Sequence, residues 1–219
     1  MNVIAVIPAC NEEKYIENVV NETKKYVSQV IVVDDGSSDS TGDIAKEKGA
    51  IVLRHVINLG LGAALKTGCD AAAKLGAKII VTLDGDGQHD PCEIPKLINA
   101  LERNNTGIVF GERRFDSSMP FVKKVGNNFF RILSNYFFKI KLKDTQTGYR
   151  VFTAETYDKI LWNSSDYAVA SEILMNAEKN NVSYAGEKIR TIYHENKKGT
   201  TIFDGIKITN KMLNLKFNN

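Results

Sequence analysis

Residues 78–91 read KIIVTLDGDGQHDP, a strand-sized apolar run, Ile79 to Leu83, running straight into Asp84, Asp86, His89 and Asp90. Short unbroken Ile/Val runs are what buried strands of a parallel sheet look like, and such sheets collect their chemistry at the carboxyl ends of their strands. The stretch therefore predicts a central strand that delivers charge to a site. Asp84 and Asp86 stand at D-x-D spacing on a turn that Gly85 and Gly87 favour, and hard oxygen ligands so placed suit Mg²⁺, which takes one or two carboxylates and fills its octahedron with water and substrate phosphate. Alone, the pattern reads equally as an acidic turn that caps the next helix. His89 reads as a turn residue rather than a ligand.

The same arrangement recurs on the amino-terminal side. Apolar runs Val3 to Ile7, Val30 to Val33, Ile51 to Leu53 and Ile108 to Phe110 alternate with helical patterns at Glu13 to Tyr26, Ser40 to Lys48, Gly62 to Leu75 and Glu93 to Arg103. Alternation at this spacing predicts an α/β fold, a mostly parallel central sheet with helices on both faces. Three strand ends are polar: Pro8-Ala9-Cys10-Asn11-Glu12, Asp34-Asp35-Gly36-Ser37, and the acidic turn. After residue 115 the regularity fades into a Phe-rich helical segment, Phe121 to Ile140. A short strand follows at Val151-Phe152, then a helix at Ala168 to Lys179, a strand or hairpin through Val182 to Tyr193, and a last basic amphipathic helix. No linker breaks the chain, so a single domain over 1–219 is expected, with 116–219 extending the sheet of 1–115 and supplying the other wall of the cleft.

Composition excludes several classes. With 219 residues, 43% of them hydrophobic, the chain can bury one real core but hardly two. The amino end carries no basic leader and stops at Pro8, and no apolar run is long enough to span a bilayer. The expected location is cytoplasmic, peripheral to a membrane at most. Cys10, Cys69 and Cys92 form neither a metal spacing nor an even disulfide set. A net charge of +3 gives no reason to invoke nucleic acid. "NLGLGAALKTG" lacks the third glycine of a dinucleotide fingerprint, and no P-loop occurs.

Taken in order, "VIPACNEE", "VVDDGSSDST", "NLGLGAALKTG", "LDGDGQHDP", "GERRF", "DTQTGYRVF" and the Glu172 helix resemble family 2 glycosyltransferases of the GT-A fold, over roughly residues 2 to 205. Within that family the match looks most like the polyprenyl-phosphate glycosyltransferases, the dolichyl-phosphate mannosyltransferase type. The resemblance implies inverting transfer of a sugar from a nucleotide diphosphate-sugar, UDP- or GDP-linked, to a polyprenyl or dolichyl phosphate, assisted by Mg²⁺ or Mn²⁺. It implies Asp84 and Asp86 as metal and diphosphate ligands, with Gln88 either near the metal or in a turn hydrogen bond. It assigns Pro8, Cys10, Glu12, Asp35, Gly62 and Gly85 to the nucleotide-sugar, while Asp34 stabilises the turn before Ser37. Cys10 stands where the family usually has a tyrosine, which removes an aromatic platform from the base site.

At the acceptor end the resemblance places Arg113, in "GERRF", on the acceptor phosphate. Lys124 reads either as a second phosphate contact or as a solvated surface lysine. Beyond Tyr193, Asn196 and Ile202 replace the basic residues that relatives carry, so phosphate contact passes to Lys197 or Lys198. A phosphate acceptor is ionised at pH 7 and attacks unaided, whereas a sugar hydroxyl needs a base. Asp144 and Glu172 are the carboxylates nearest the reacting end by analogy, and Glu172 is the candidate base; the competing readings are a loop hydrogen bond and a first-turn helix acid. Phe121 to Lys143 mixes aromatic and basic residues and reads either as a helix on an anionic membrane surface or as one closing the core. Three functions follow: transfer to polyprenyl phosphate, transfer to a glycan hydroxyl, or sugar-nucleotide binding without turnover.

Overall fold

The computed structural model describes residues 2–113 and 142–192. Seven strands make one sheet in the order β3-β2-β1-β4-β6-β5-β7. They are β1 (Val3–Ala9), β2 (Gln29–Asp35), β3 (Ile51–His55), β4 (Ile79–Thr82), β5 (Ile108–Arg113), β6 (Arg150–Thr153) and β7 (Tyr184–Ile189). Neighbours pair in parallel except at β6, which runs antiparallel to both β4 and β5. The order turns back at β1: β2 and β3 lie to one side of it and β4 to the other. In open sheets that reversal opens a crevice beyond the strand ends, and here it falls between the ends of β1 and β4, where Cys10 and Asp84 stand.

Strand alternation builds two cores. Ile4 and Val6 of β1, Ile31 and Val33 of β2 and Phe152 of β6 face α3 (Leu61–Lys74) and its neighbours. Val3, Ala5 and Ile7, with Val30, Val32 and Val151, face α1 (Glu13–Thr23), α2 (Thr41–Glu47) and α4 (Ile94–Arg103). Each fully buried Ile or Val contributes about 1.5–3 kcal/mol from its removal from water. Strands covered on both faces need no polar alternation, which is why they read as continuous apolar runs.

Helix boundaries differ from expectation where caps intervene. Pro91–Glu93 form a 3₁₀ turn, capped by Asp90 Oδ1, which accepts from the Cys92 N–H at 3.0 Å, so α4 starts only at Ile94. A short helix that the periodicity does not announce, α5 (Ala154–Lys159), follows β6; the Thr153 hydroxyl accepts from the Thr156 N–H at 3.1 Å, and Glu155 pairs with Lys159 at 2.8 Å. The expected strand or hairpin after Val182 is one strand, β7, parallel to β5; α6 (Val169–Lys179) precedes it. Beyond β7, Thr191 forms a bridge with His89, and the Ile192 N–H donates to the Gln88 carbonyl at 2.9 Å, bringing the chain back under the acidic turn. Phe121 to Ile140, Lys124, Lys197 and the last helix lie outside the described residues.

Candidate active site

The ends of β1 and β2 are braced to each other. Asn11 adopts φ 56°, a conformation asparagine tolerates better than most residues. Its N–H donates to Ser37 Oγ at 3.0 Å, and its Oδ1 accepts from the Ser38 N–H at 2.8 Å. Glu12 donates its N–H to Thr41 Oγ1 at 2.8 Å, which fixes the chain at the start of α1. Cys10 is half-buried at the lip of this loop, and Asn58 Nδ2 donates to its sulfur at 3.2 Å.

The two aspartates that end β2 do different work. Asp34 is buried and holds its turn: Oδ1 accepts from the Ser37 N–H at 3.0 Å and Oδ2 from Arg54 Nε at 2.9 Å. Asp35 gathers the next loop, accepting from the N–H groups of Leu59 at 2.9 Å and Gly60 at 2.8 Å, and from His55 Nδ1 at 2.7 Å. It thereby anchors the amino end of α3. That end is tied across the crevice as well. The Gly62 N–H donates to the Ser165 carbonyl at 2.7 Å, and a Cβ on Gly62 would lie 2.0 Å from the Ser164 oxygen, so only glycine fits.

The acidic turn docks on β1, since the Gly85 N–H donates to the Pro8 carbonyl at 3.3 Å. Asp86 Oδ1 accepts from the Gln88 N–H at 2.9 Å, and the Gln88 amide donates to Oδ2, so Gln88 presets the second carboxylate. His89 is buried beneath. Its Nδ1 accepts from the Asp84 N–H at 3.1 Å, and burial holds its pKa below the ordinary histidine value. An N–H can only donate, so Nδ1 carries a lone pair, and its 3.6 Å approach to Asp84 Oδ2 is no ion pair. The imidazole props the turn instead, with its ring 5.0 Å from that of Tyr149. Among the described residues no three His, Cys, Asp or Glu side chains converge on one point. Two carboxylates on a half-buried turn are the donor set that Mg²⁺ or Mn²⁺ accepts when a substrate phosphate completes the shell, so Asp84 and Asp86 fit such an ion.

The loop before β6 joins this turn to the end of β5. Asp144, buried, takes a two-pronged fork from Arg113, with Nε donating to Oδ2 at 2.6 Å and Nη2 to Oδ1 at 3.0 Å. Four residues on, Gly148 backs onto Asp84: a Cβ there would sit 2.4 Å from Asp84 Oδ1. Thr82 Oγ1 donates to the Gly148 carbonyl at 2.8 Å and locks the approach. Sequence reasoning did not single out Gly148 or Arg150; the one available signal was a glycine and an arginine directly beside an acidic loop.

The Glycosyl transferase family 2 model matches residues 4–163, well over half of the chain. The chain belongs to glycosyl transferase family 2. An uncharacterised protein of Methanocaldococcus jannaschii is 39% identical over 223 residues, covering 96% of this chain and 90% of that one. A UDP-N-acetylglucosamine–dolichyl-phosphate N-acetylglucosaminyltransferase of Methanococcus voltae is 35% identical over 238 residues, covering 96% and 94%. Among solved structures, glucosyl-3-phosphoglycerate synthase from Mycobacterium tuberculosis, in complex with Mn²⁺, UDP-glucose and phosphoglyceric acid, superposes with a TM-score of 0.76 at 20% identity, covering 99% of this chain and 80% of that one. That likeness is one of fold.

In this family 2 glycosyltransferase, Glu172 on α6 has its carboxylate fully engaged. Oε1 accepts from the Asn163 N–H at 3.0 Å, and Oε2 from the Ser164 N–H at 2.9 Å and the Ser164 hydroxyl. It thus holds the 163–165 loop against Gly62, where Trp162 Nε1 also donates to the Gly62 carbonyl at 2.9 Å. Glu172→Gln sets an amide N–H₂ against a buried donor, a loss of about 1–3 kcal/mol. Thermal melting of that variant is expected to fall by several degrees, roughly 2–4 °C per kcal/mol for a chain of this size, while transfer drops less than about tenfold, below the range for loss of a general base. A rate loss of about 10² or more at unchanged melting temperature would make Glu172 a proton acceptor.

Proposed function

We propose that the chain transfers a sugar, with inversion, from a nucleoside diphosphate-sugar to a polyprenyl phosphate. One observation carries the reading: the loop 144–148 touches two opposite charges at once, gripping Arg113 through Asp144 and backing Asp84 with Gly148. Carboxylates suited to a metal-borne diphosphate and a cation suited to a phosphate thus share one short support. The Methanococcus voltae relative, named for a dolichyl-phosphate acceptor and a UDP-linked donor, supports both halves and makes uridine the first nucleotide to test.

In this reading Pro8, Cys10, Glu12, Asp35 and Gly62 frame the nucleotide, with Gly85 giving the diphosphate close access to the turn. Asp84 and Asp86, the latter set by Gln88, would hold Mg²⁺ or Mn²⁺, which when bound supplies positive charge to the departing diphosphate. Arg113, its plane fixed by Asp144, orients the acceptor phosphate; Lys124 and Lys197 are further contacts in the proposal. The acceptor oxygen bonds to the anomeric carbon as the bond to the diphosphate breaks on the opposite face. No proton need be removed, because the acceptor is already an anion. That matches the occupied state of Glu172 and weighs against a hydroxyl acceptor.

The domain reading, 1–115 for the donor and 116–219 for the acceptor within one unit, belongs to the same proposal, as does action at the cytoplasmic face of a membrane. No helix among the described residues is long and apolar enough to cross a bilayer. Contact with the lipid would fall to the basic, aromatic residues 121–143. Flotation with anionic vesicles is expected to show binding that weakens with salt, each near-surface Lys or Arg contributing about 1 kcal/mol; no binding at low salt would remove the membrane from the account. The function itself is tested by offering UDP- and GDP-linked sugars with a short polyprenyl phosphate, with Mn²⁺ and with chelator. Metal-dependent transfer from one donor class is the expected result, and hydrolysis or transfer untouched by chelator would overturn it.

A further inference from the structure

Arg150 opens β6 in register with Thr82 of β4 and Phe110 of β5, so it enters the sheet between the strand that leads to Asp84 and the strand that leads to Arg113. It lies on the same face of β6 as Phe152, the face covered by α3. The residue is 2% exposed, and among the described residues its Nε and Nη1 have no hydrogen-bond partner. Burial draws its pKa down, to about 10, against the pull of Asp84 and Asp144, while Arg113 adds repulsion. The group is therefore a cation at neutral pH. A buried charge without full pairing is destabilising beside an apolar residue of equal size. Packing alone gives no reason to keep it there.

We infer that Arg150 is a positioning residue of the donor site, a fixed buried cation that makes the turn at Asp84 and Asp86 a poor site for a bare divalent ion and a good one for the ion carried on a nucleoside diphosphate. The inference rests on reading that turn as the donor's metal site. Coulomb repulsion reaches far in a low-dielectric interior and acts twice as strongly on a doubly charged ion as on a single charge. A free Mn²⁺ would meet two carboxylates and also the field of a buried guanidinium that interacts with Asp84, whereas the diphosphate brings negative charge that offsets that repulsion. Among the described residues no third His, Cys, Asp or Glu joins the two carboxylates, which works in the same direction. Metal and donor would then enter together, and an empty enzyme would not be filled by the ion alone.

The test measures Mn²⁺ affinity of the full chain, by calorimetry or by the spin resonance of free Mn²⁺, alone and with saturating UDP or GDP. In the wild type one nucleotide is expected to tighten Mn²⁺ binding by about tenfold or more, a change that one neighbouring charge can supply. Arg150→Met keeps length without charge; it is expected to bind bare Mn²⁺ more tightly and to show a smaller nucleotide enhancement, the remainder coming from phosphate oxygens on the ion. Arg150→Lys, which keeps the charge, is expected to retain it. A merely structural role would weaken both affinities together, leave their ratio unchanged and lower the melting temperature. A folded Arg150→Met protein with the full enhancement overturns the inference. Should that variant not fold, the wild type still decides: bare Mn²⁺ bound as tightly as Mn²⁺ with nucleotide overturns it, with the donor-site reading intact. Failure of the wild type to bind Mn²⁺ with either nucleotide overturns the donor-site reading and the inference together.

Discussion

Asp86→Asn is expected to cut transfer by about 10² or more, the scale for losing preorganised charge stabilisation of a transition state, and to leave the fold intact. The Asn oxygen can still accept the Gln88 N–H that Asp86 Oδ1 accepts at 2.9 Å, so the turn survives while one negative charge goes. The other oxygen fares differently. It receives the Gln88 amide, and an N–H₂ in its place would turn that amide over, which costs little on a half-exposed turn. Steady-state transfer with Mn²⁺ titrated against each variant, beside a melting curve, separates chemistry from stability. Near-normal turnover of the variant in chelator-treated buffer would remove Asp84 and Asp86 from the metal.

Arg113→Ala is expected to show two losses that a second substitution pulls apart. The guanidinium forks onto Asp144, whose side chain is 1% exposed, so truncation leaves a buried carboxylate uncompensated at a cost of about 3–5 kcal/mol. It also removes the cation offered to the acceptor phosphate, where a hydrogen bond to a charged group is worth about 1.5–3 kcal/mol, roughly 10- to 150-fold in kcat/KM for the acceptor. Adding Asp144→Asn to Arg113→Ala is expected to restore most of the melting temperature and none of the acceptor affinity. Recovery of both would make the pair a structural clamp and nothing more.

The amino-terminal half of the fold was legible because its central strands are covered on both faces. Val30 to Val33 and Ile79 to Val81 are unbroken apolar runs for that reason, and each strand ends in polar residues that stand around one crevice. The second half was harder to read. β6 is four residues long, gains its place by pairing antiparallel with β4 and β5, and opens with a buried arginine that breaks the apolar pattern. α5 is too short for a helical period, and only the cap at Thr153 and the Glu155–Lys159 pair mark it. In the candidate site, D-x-D spacing singled out Asp84 and Asp86, although alone it reads equally as an acidic capping turn. Spacing does not tell which carboxylates are already occupied by the protein: Asp35, Asp144 and Glu172 look alike in sequence, yet each is fastened to backbone N–H groups or a guanidinium far along the chain.

Acceptor chemistry is the central claim, and one comparison tests it most directly. Polyprenyl phosphate and the free polyprenol of the same chain length are offered to the purified enzyme with Mn²⁺ and the donor selected from the nucleotide-sugar panel, and the products are identified by mass and by lability to mild acid. The account predicts a sugar joined through phosphate to the polyprenol, formed from the phosphate acceptor alone and lost in the Arg113→Ala/Asp144→Asn variant. Equal transfer to the free alcohol, or to a glycan hydroxyl with the phosphate left untouched, would contradict it.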